Sequence, residues 1–541
     1  MSASVTHEVA NQPPEYASRD LWQEDPALRE ALQREGGGGF SATVAAYGAL
    51  AGGELLALSF DAHRDRPRLR THDRNGHRID TVEFHPHYHR IMDAAIGNGV
   101  AGLSWAQSTA GAHVARAALS YLHYQAEPGT SCPLTMTHAA VPVLAREPAL
   151  REWTAKVAAC RYDPRDLPLA DKHGITLGMG MTEKQGGSDV RANTTTATPL
   201  DGGDTYVLRG HKWFFSAPMS DGFLVLAQAP GGLTCFLMPR RLPDGALNGF
   251  RLMRLKDKLG DWSNASSEIE FDAVRAHRVG DEGRGVATII PMVMLTRLDC
   301  MLGSAGLMRM ALAQALHHCR HRKAFGRALL DQPLMRNVLA DVAIESEAAL
   351  ALSMRVARAV DAASHDADEA AFARIATAIG KFWICKRAPG LVNEAQECLG
   401  GAGYVEESLL PRLYRQAPLN SIWEGSGNIQ CLDVLRALGR EPETVAAFFA
   451  RLDAAAGYDP DFDASLADLR AALSAGADEA GARRLVETMA LLLQAAVLIG
   501  AGSPMASAFC GSRLGGRGTG VYGTLGPGVD AGMLLARAAG A

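Results

Sequence analysis

Residues 178–190 read GMGMTEKQGGSDV, and they stand where the texture of the chain changes. Upstream, HRIMDAAIGNG and AGAHVARAALSYLHYQAE carry apolar residues at three- and four-residue spacing, the mark of packed helices. Downstream, TYVLRGHKWFF, GFLVLAQA, LTCFLM and SSEIEFDAV are short runs broken by turn residues, and APGG between the second and third reads as a hairpin turn. From about residue 288 long helical patterns return, first LMRNVLADVAIESEAALALSMRVARAVDAAS and then FARIATAIGKFWICKRAPGLVNEAQECLG. The expected fold is mainly α with an inserted β domain. Its segments are an irregular arm at 1–40, a helical domain at 41–177, the β domain at 178–287, a helical bundle at 288–441 and a helical extension at 442–541.

The glycine-rich stretch has two readings. Gly186 and Gly187 let backbone N–H groups approach an anion, and Thr182 and Ser188 add hydroxyl groups. A plain glycine-rich turn explains the same letters. No strand–GxGxxG–helix unit surrounds it, so a Rossmann dinucleotide site is unsupported.

Composition narrows the class. A chain of 541 residues is too long for one ordinary core, and 47% hydrophobic with 21% charged residues describes a soluble globular protein. The net charge of −5 argues against a polybasic nucleic-acid binder. Nine cysteines without a CxxC pair point to reduced thiols in a cytoplasmic protein. The N-terminus lacks a signal-peptide pattern, and no uninterrupted apolar run of membrane-spanning length is expected. The cluster HPHYH (85–89) is broken by Pro86 and has no acidic or thiol partner at zinc spacing, so no metal site is expected.

Three further stretches carry candidate chemistry. HKWFFSAP (211–218) sets Trp213, Phe214 and Phe215 before Ser216, either as a wall for a flat heteroaromatic ligand or as ordinary β-domain core. CRHRKAFGRALLDQP (319–333) offers Arg322, whose guanidinium suits a pyrophosphate or a solvated helix face. SIWEGSGNIQCL (421–432) puts Glu424 behind a Trp and before Gly-Ser-Gly. That carboxylate is either a first-turn residue favoured by the helix dipole or a desolvated proton acceptor.

In order and spacing, MTEKQGGSD, KWFFS, RKAFG, LGGAGY and IWEGSGNIQ resemble the acyl-CoA dehydrogenase family over residues 40–440. SCPLTMT (131–137), RLKDKLG (254–260) and the C-terminal extension resemble its branch of flavoproteins from the bacterial response to DNA alkylation. The resemblance implies an N-terminal helical domain, a central β-barrel-like domain and a C-terminal four-helix bundle, assembled as a homotetramer that binds FAD. It implies flavin contacts from Met181, Thr182, Gly187, Ser188, Trp213, Phe215 and Ser216, and from Ser426 and Asn428 after the catalytic loop. Arg322 and Phe325 would serve the FAD of a neighbouring subunit, and Gly400 and Gly401 are further cofactor contacts. Glu424 matches the family's base, which takes the α-proton of an acyl-CoA while the β-hydrogen leaves as hydride to the flavin. Thr296 stands where other members place their base, and a hydroxyl is a poor one.

Departures from the family pattern accompany the match. The usual W-I-T-N is W-F-F-S here, which puts Phe215 where a threonine normally sits near flavin N5. Glu397 replaces a glutamine before the paired glycines, and Pro333 replaces one after the Phe-Gly pair, with Gln332 one position earlier. The resemblance also implies binding of double-stranded DNA through the extension. Yet residues 441–541 hold seven basic against eleven acidic side chains, which disfavours phosphate attraction. Candidate contacts are Arg436 and Arg440, with Arg513 and Arg517 in the glycine-rich tail, supplemented by Arg240, Arg241, Arg412 and Arg415. Arg436, twelve residues after Glu424, either meets an anionic ligand or pairs with an acid on its own bundle. The functional expectation is a flavoprotein of the alkylation response with residual acyl-CoA dehydrogenase activity. The alternatives are a metabolic acyl-CoA dehydrogenase and a binding scaffold with a structural flavin.

Overall fold

The computed structural model describes residues 6–200, 202–515 and 520–540. The chain packs as two compact units, Glu54–Asp299 and, from its two ends, Met1–Gly53 with Cys300–Ala541.

In the Glu54–Asp299 unit the helices Ala112–Ala126 and Pro128–Leu144 are buried along almost their whole length. Pro128 opens the second with its preset φ, and the Glu127 carboxylate accepts from Thr130 N at 2.6 Å to cap it. Buried Arg116 forks onto Asp299, with Nη2 2.7 Å from Oδ2, and Thr135 donates to the same oxygen at 2.7 Å. A hairpin of β1 (Arg68–His72) and β2 (Arg78–Glu83) interrupts the helices. Strand β1 is polar and half-exposed, but Val82 of β2 is buried and Leu69 packs with it against the barrel core; apolar residues this isolated gave no clear strand pattern in the sequence.

The β domain contains β3 (Leu177–Gly180), β4 (Thr196–Pro199), β5 (Thr205–Ser216), β6 (Gly222–Ala229), β7 (Gly232–Pro239), β8 (Phe250–Leu255) and β9 (Ser266–Val279). Strand β6 pairs with β4 and β7, β7 and β5 each pair with β9, and β4 pairs with β5, which closes a barrel-like circuit. Pro230 and Gly231 make the two-residue turn expected between β6 and β7. Phe215, Phe223, Phe236, Phe250 and Phe271 fill its core. The β5–β9 ladder slips between Lys212 and Phe215, and this irregularity leaves Phe214 54% exposed while Phe215 is fully buried.

The second unit is helical. Its long members are Pro333–Ala362 and Ala367–Cys398, together with the part of Gly285–His321 from Cys300 onward. Around them stand Gly427–Arg440 and the extension helices Pro442–Asp453, Pro460–Ser474, Ala482–Gly500, Ala506–Arg513 and Ala531–Ala538. The N-terminal forty residues are not wholly irregular. Asp25 caps a helix at Pro26–Arg34 through Leu28 N (3.1 Å), and Leu28, Ala31 and Leu32 are buried from it. Their i, i+3, i+4 spacing was legible but was masked by the glycine run at 36–39 that follows.

Among the described residues two helical stretches are long and apolar enough to cross a membrane, Gly38–Arg64 and Gly285–His321. Charged residues interrupt both, Glu54 in the first and Arg297 and Asp299 in the second. Burial takes 61% of the apolar window of the second and 44% of the first.

Candidate active site

In the β domain, Met181 and Thr182 leave β3 into a tight turn closed by Gly186 N donating to Glu183 O at 3.0 Å. A Cβ on Gly187 would lie 2.4 Å from Thr182 Oγ1, so any side chain there would have to displace the Thr182 hydroxyl. Ser188 is exposed beside it, and the Thr182 carbonyl accepts from Trp213 N at 2.9 Å, tying the turn to β5.

Beneath the turn, Glu183 and Lys212 are both fully buried and 2.9 Å apart. Glu183 also accepts from Thr194 N (2.6 Å), Thr194 Oγ1 (3.0 Å) and Thr195 N (3.1 Å), and Lys212 donates to Leu226 O at 2.8 Å. Burial opposes ionisation of Glu183, yet the Lys212 charge and the threonine donors outweigh it and hold the carboxyl at about 2.

Trp213 is half-buried. The Lys256 ammonium lies 3.5 Å from its ring centre, with Lys184 at 5.6 Å and Arg254 at 6.0 Å. Ser216 Oγ is 3.3 Å from Ser266 Oγ, which also accepts from Lys258 at 3.2 Å. Hydroxyls, a glycine pair open to solvent and an indole among three cations form a donor set that fits a flat ring carrying phosphates. Phe215 is a correction. Its ring is in the barrel core, 4.4 Å from that of Phe223, where no ligand contact is open to it.

In the helical unit, Glu424 lies outside the first turn, because the helix starts at Gly427 behind Ser426. It sits in a loop with φ +59°, followed by Gly425 at φ +89°, and is half-buried. A left-handed backbone costs a non-glycine residue about 1–2 kcal/mol. Two side chains hold it. Lys381 donates to the carbonyls of Asn420 (3.1 Å), Trp423 (2.8 Å) and Gly425 (2.8 Å). Gln430 Nε2 donates to the carbonyls of Glu424 (3.1 Å) and Gly425 (2.8 Å). Bonds from a charged donor contribute about 1.5–3 kcal/mol each, enough to outweigh the strain. Trp423 Nε1 donates to Asn420 Oδ1 at 3.0 Å and completes the loop.

Arg322 precedes a two-residue hairpin, Lys323–Ala324 against Arg327–Ala328, whose tip residues Phe325 and Gly326 both have positive φ (+52° and +82°). Phe325 is 97% exposed. Arg322 donates to Asn11 O at 2.7 Å, and Gln332 Nε2 donates to Ala324 O at 3.0 Å. Gly400 (φ +60°) and Gly401 are exposed in a 3-10 turn whose Gly403 O accepts from Gln396 at 2.8 Å. Asn428 accepts from Arg483 at 2.8 Å, and Ser426 is exposed at the helix start. Buried Thr296 donates to Val293 O at 3.0 Å.

The arginines divide. Arg436 and Arg440 are exposed on the Gly427–Arg440 helix and make no ion pair among the described residues, so the alternative of an acid partner for Arg436 falls. Arg513 is a correction. It is buried against Asp341 and Glu345 of the Pro333–Ala362 helix and presents no charge to a ligand. Arg240 is likewise buried on Asp166, and Arg412 is buried. Arg241 pairs with Asp166 and Arg415 with Glu406. Arg517 lies outside the described residues.

Sequence reading missed Lys381, Gln430 and Lys212. The lone Lys in the apolar stretch IGKFW was the available signal for the first, since a buried lysine must find partners.

Residues 11–164 match the adaptive response protein AidB N-terminal domain, 178–274 the acyl-CoA dehydrogenase middle domain and 283–439 the C-terminal domain of the same enzymes. The chain is 47% identical to AidB of Escherichia coli K12 over 95% of both chains. It is 32% identical to acyl-CoA dehydrogenase family member 11 of Caenorhabditis elegans, over 79% of this chain and 72% of that one. The structure of Caenorhabditis elegans ACDH-11 in complex with C11-CoA superposes with a TM-score of 0.82 at 28% identity, covering 93% of this chain and 92% of that one. Fold, domain matches and near full-length identity agree: the chain belongs to the acyl-CoA dehydrogenase family, as an AidB-like member.

Proposed function

We propose that this protein is an FAD-dependent oxidoreductase of acyl-CoA thioesters, with Glu424 as the base that takes the α-proton. Members of the family use FAD. The observation that carries the reading is the built loop around Glu424, a left-handed carboxylate residue whose flanking carbonyls are held by Lys381 and Gln430. Met181, Thr182, Gly187 and Ser188 would hold the cofactor's polar groups, with Trp213 and Ser216 against its ring. Ser426, Asn428, Gly400 and Gly401 would add contacts, and Arg322 and Phe325 would reach the cofactor of a neighbouring subunit in a homotetramer. When bound, the flavin supplies a hydride acceptor for the β-hydrogen. Glu424 then has one task, to accept a proton from carbon α to the thioester carbonyl. The ACDH-11 complex with C11-CoA supports a fatty acyl-CoA as the substrate class.

The test is anaerobic titration of the yellow protein with acyl-CoA esters of graded chain length. One ester should bleach the flavin band, and Glu424→Gln should slow that bleaching by at least a thousandfold. No bleaching by any ester rejects the enzymatic reading.

The kinship with AidB favours a second reading, a cytoplasmic role in the response to DNA alkylation with contact to double-stranded DNA. Its support in this chain is the exposed pair Arg436 and Arg440. The acidic balance of the extension and the buried Arg513 weigh against a tail that wraps DNA.

A further inference from the structure

We propose that Lys381 is a positioning residue for the proposed base: its ammonium group clamps residues 420–425 in the left-handed turn from which Glu424 projects. The proposal rests on the reading of Glu424 given above.

Lys381 lies on the Ala367–Cys398 helix, 1% exposed, among buried Ala378, Ile379, Phe382 and Ile384. An ammonium group is expensive to bury unless every N–H is satisfied. No carboxylate pairs with it among the described residues. Its three N–H groups go instead to three main-chain carbonyls of one loop, those of Asn420, Trp423 and Gly425. For packing alone, a methionine would fill the same apolar space without that requirement. The charge is spent on the backbone of the loop.

The pattern of captured carbonyls brackets Glu424. Lys381 takes the carbonyls on either side of it, those of Trp423 and Gly425, and Gln430 takes its own. Rotation of either peptide around Glu424 would break a bond to a helix-borne side chain. The positive φ of Glu424, unusual for an L-residue, is therefore imposed from two helices, Ala367–Cys398 and Gly427–Arg440. Asn420 ties a third helix to the loop, since its Nδ2 donates to Ser304 Oγ at 3.2 Å.

The experiment uses the full-length, flavin-loaded protein carrying Lys381→Met, with Gln430→Met as an independent variant that loosens the same turn from the other side. Hydrogen exchange of peptides spanning 418–430 should rise at least tenfold in Lys381→Met, with exchange in the Pro333–Ala362 helix unchanged. The rate of flavin reduction at saturating acyl-CoA should fall at least a hundredfold, while the half-saturating concentration moves less than threefold. Gln430→Met should show the same pattern to a smaller degree, and it carries the test if Lys381→Met does not fold. Unchanged exchange at 418–430 in folded variants overturns the clamp, and so does raised exchange with an unchanged reduction rate. If exchange rises but Glu424→Gln reduces the flavin as fast as the parent, the clamp stands and the assignment of Glu424 as base falls.

Discussion

Asn11 and Lys323 stand 312 residues apart in the chain and exchange two hydrogen bonds, Asn11 Nδ2 to Lys323 O at 2.9 Å and Lys323 N to Asn11 Oδ1 at 2.8 Å. With the Arg322 bond to Asn11 O, they strap the N-terminal arm across the hairpin that carries Phe325. His317 donates to Pro14 O at 2.8 Å and stacks edge-on with Tyr16 at 5.1 Å, which fastens the arm a second time. A two-stranded hairpin of two residues a side is unstable alone. Removal of residues 1–14 is therefore expected to raise hydrogen exchange at 322–328 severalfold and to weaken FAD retention, read by ultrafiltration of the yellow protein. An unchanged exchange pattern at the hairpin would show that the arm lies on it without holding it.

The buried Glu183–Lys212 pair predicts both stability and its pH dependence. Removing one partner of a buried pair leaves the other uncompensated and costs about 3–5 kcal/mol. Lys212→Met should lower the melting temperature by several degrees and loosen the turn that carries Thr182 and Ser188. Glu183 sits at about 2 in the fold against a usual 4.5, so the folded state favours its ionised form. Its contribution is complete above about 4.5 and is lost as the pH falls from there to about 2. Glu183→Gln should flatten the acid limb of the stability curve across that window. A limb identical to the parent's would place acid sensitivity elsewhere.

How much of this was legible depends on what each feature rests upon. The β domain and the long helices rest on apolar periodicity, and both APGG as a hairpin turn and the pattern of IATAIGKFW as a helix were readable. The β1–β2 hairpin pairs mostly polar residues, and its apolar contacts with the barrel core, Leu69 and Val82, are too isolated to leave a clear trace. Phe215 misled because the motif match fixes position along β5, while the slip between Lys212 and Phe215 fixes which face a side chain takes. Arg513 misled because glycine neighbours suggest an open tail. Only the tertiary structure shows Asp341 and Glu345 waiting on a helix about 170 residues earlier. Glu424 was found through its motif, but its left-handed backbone and the lysine beneath it are three-dimensional facts.

Phe215 yields a third prediction. Threonine at this position, as in the family pattern, would exchange a fully buried ring for a small polar group in the barrel core. Large-to-small changes of buried aromatics cost about 3–5 kcal/mol. Phe215→Thr should therefore destabilise the protein by a comparable amount in urea unfolding. Tighter flavin binding with no loss of stability would return Phe215 to the cofactor site.

The two classes of arginine predict opposite phenotypes in a DNA-binding assay. Arg436 and Arg440 are exposed and one helical turn apart on the Gly427–Arg440 helix, so both charges reach one face. If that face meets a duplex, each phosphate contact adds roughly 0.9 to the salt slope of the affinity. Arg436→Ala with Arg440→Ala should then lower that slope by about 2 and weaken binding at low salt, with the melting temperature unchanged. Arg513→Ala should do the reverse. It removes the cation from Asp341, which keeps only a backbone donor from Gly523, and leaves Glu345 to Arg387 alone, at a cost of about 3–5 kcal/mol, and any change in DNA retention should follow the loss of folded protein. Fluorescence anisotropy with a labelled duplex, run beside thermal unfolding, separates the two. Binding that ignores salt, or that survives the double substitution unchanged, would remove DNA from the partners of this face.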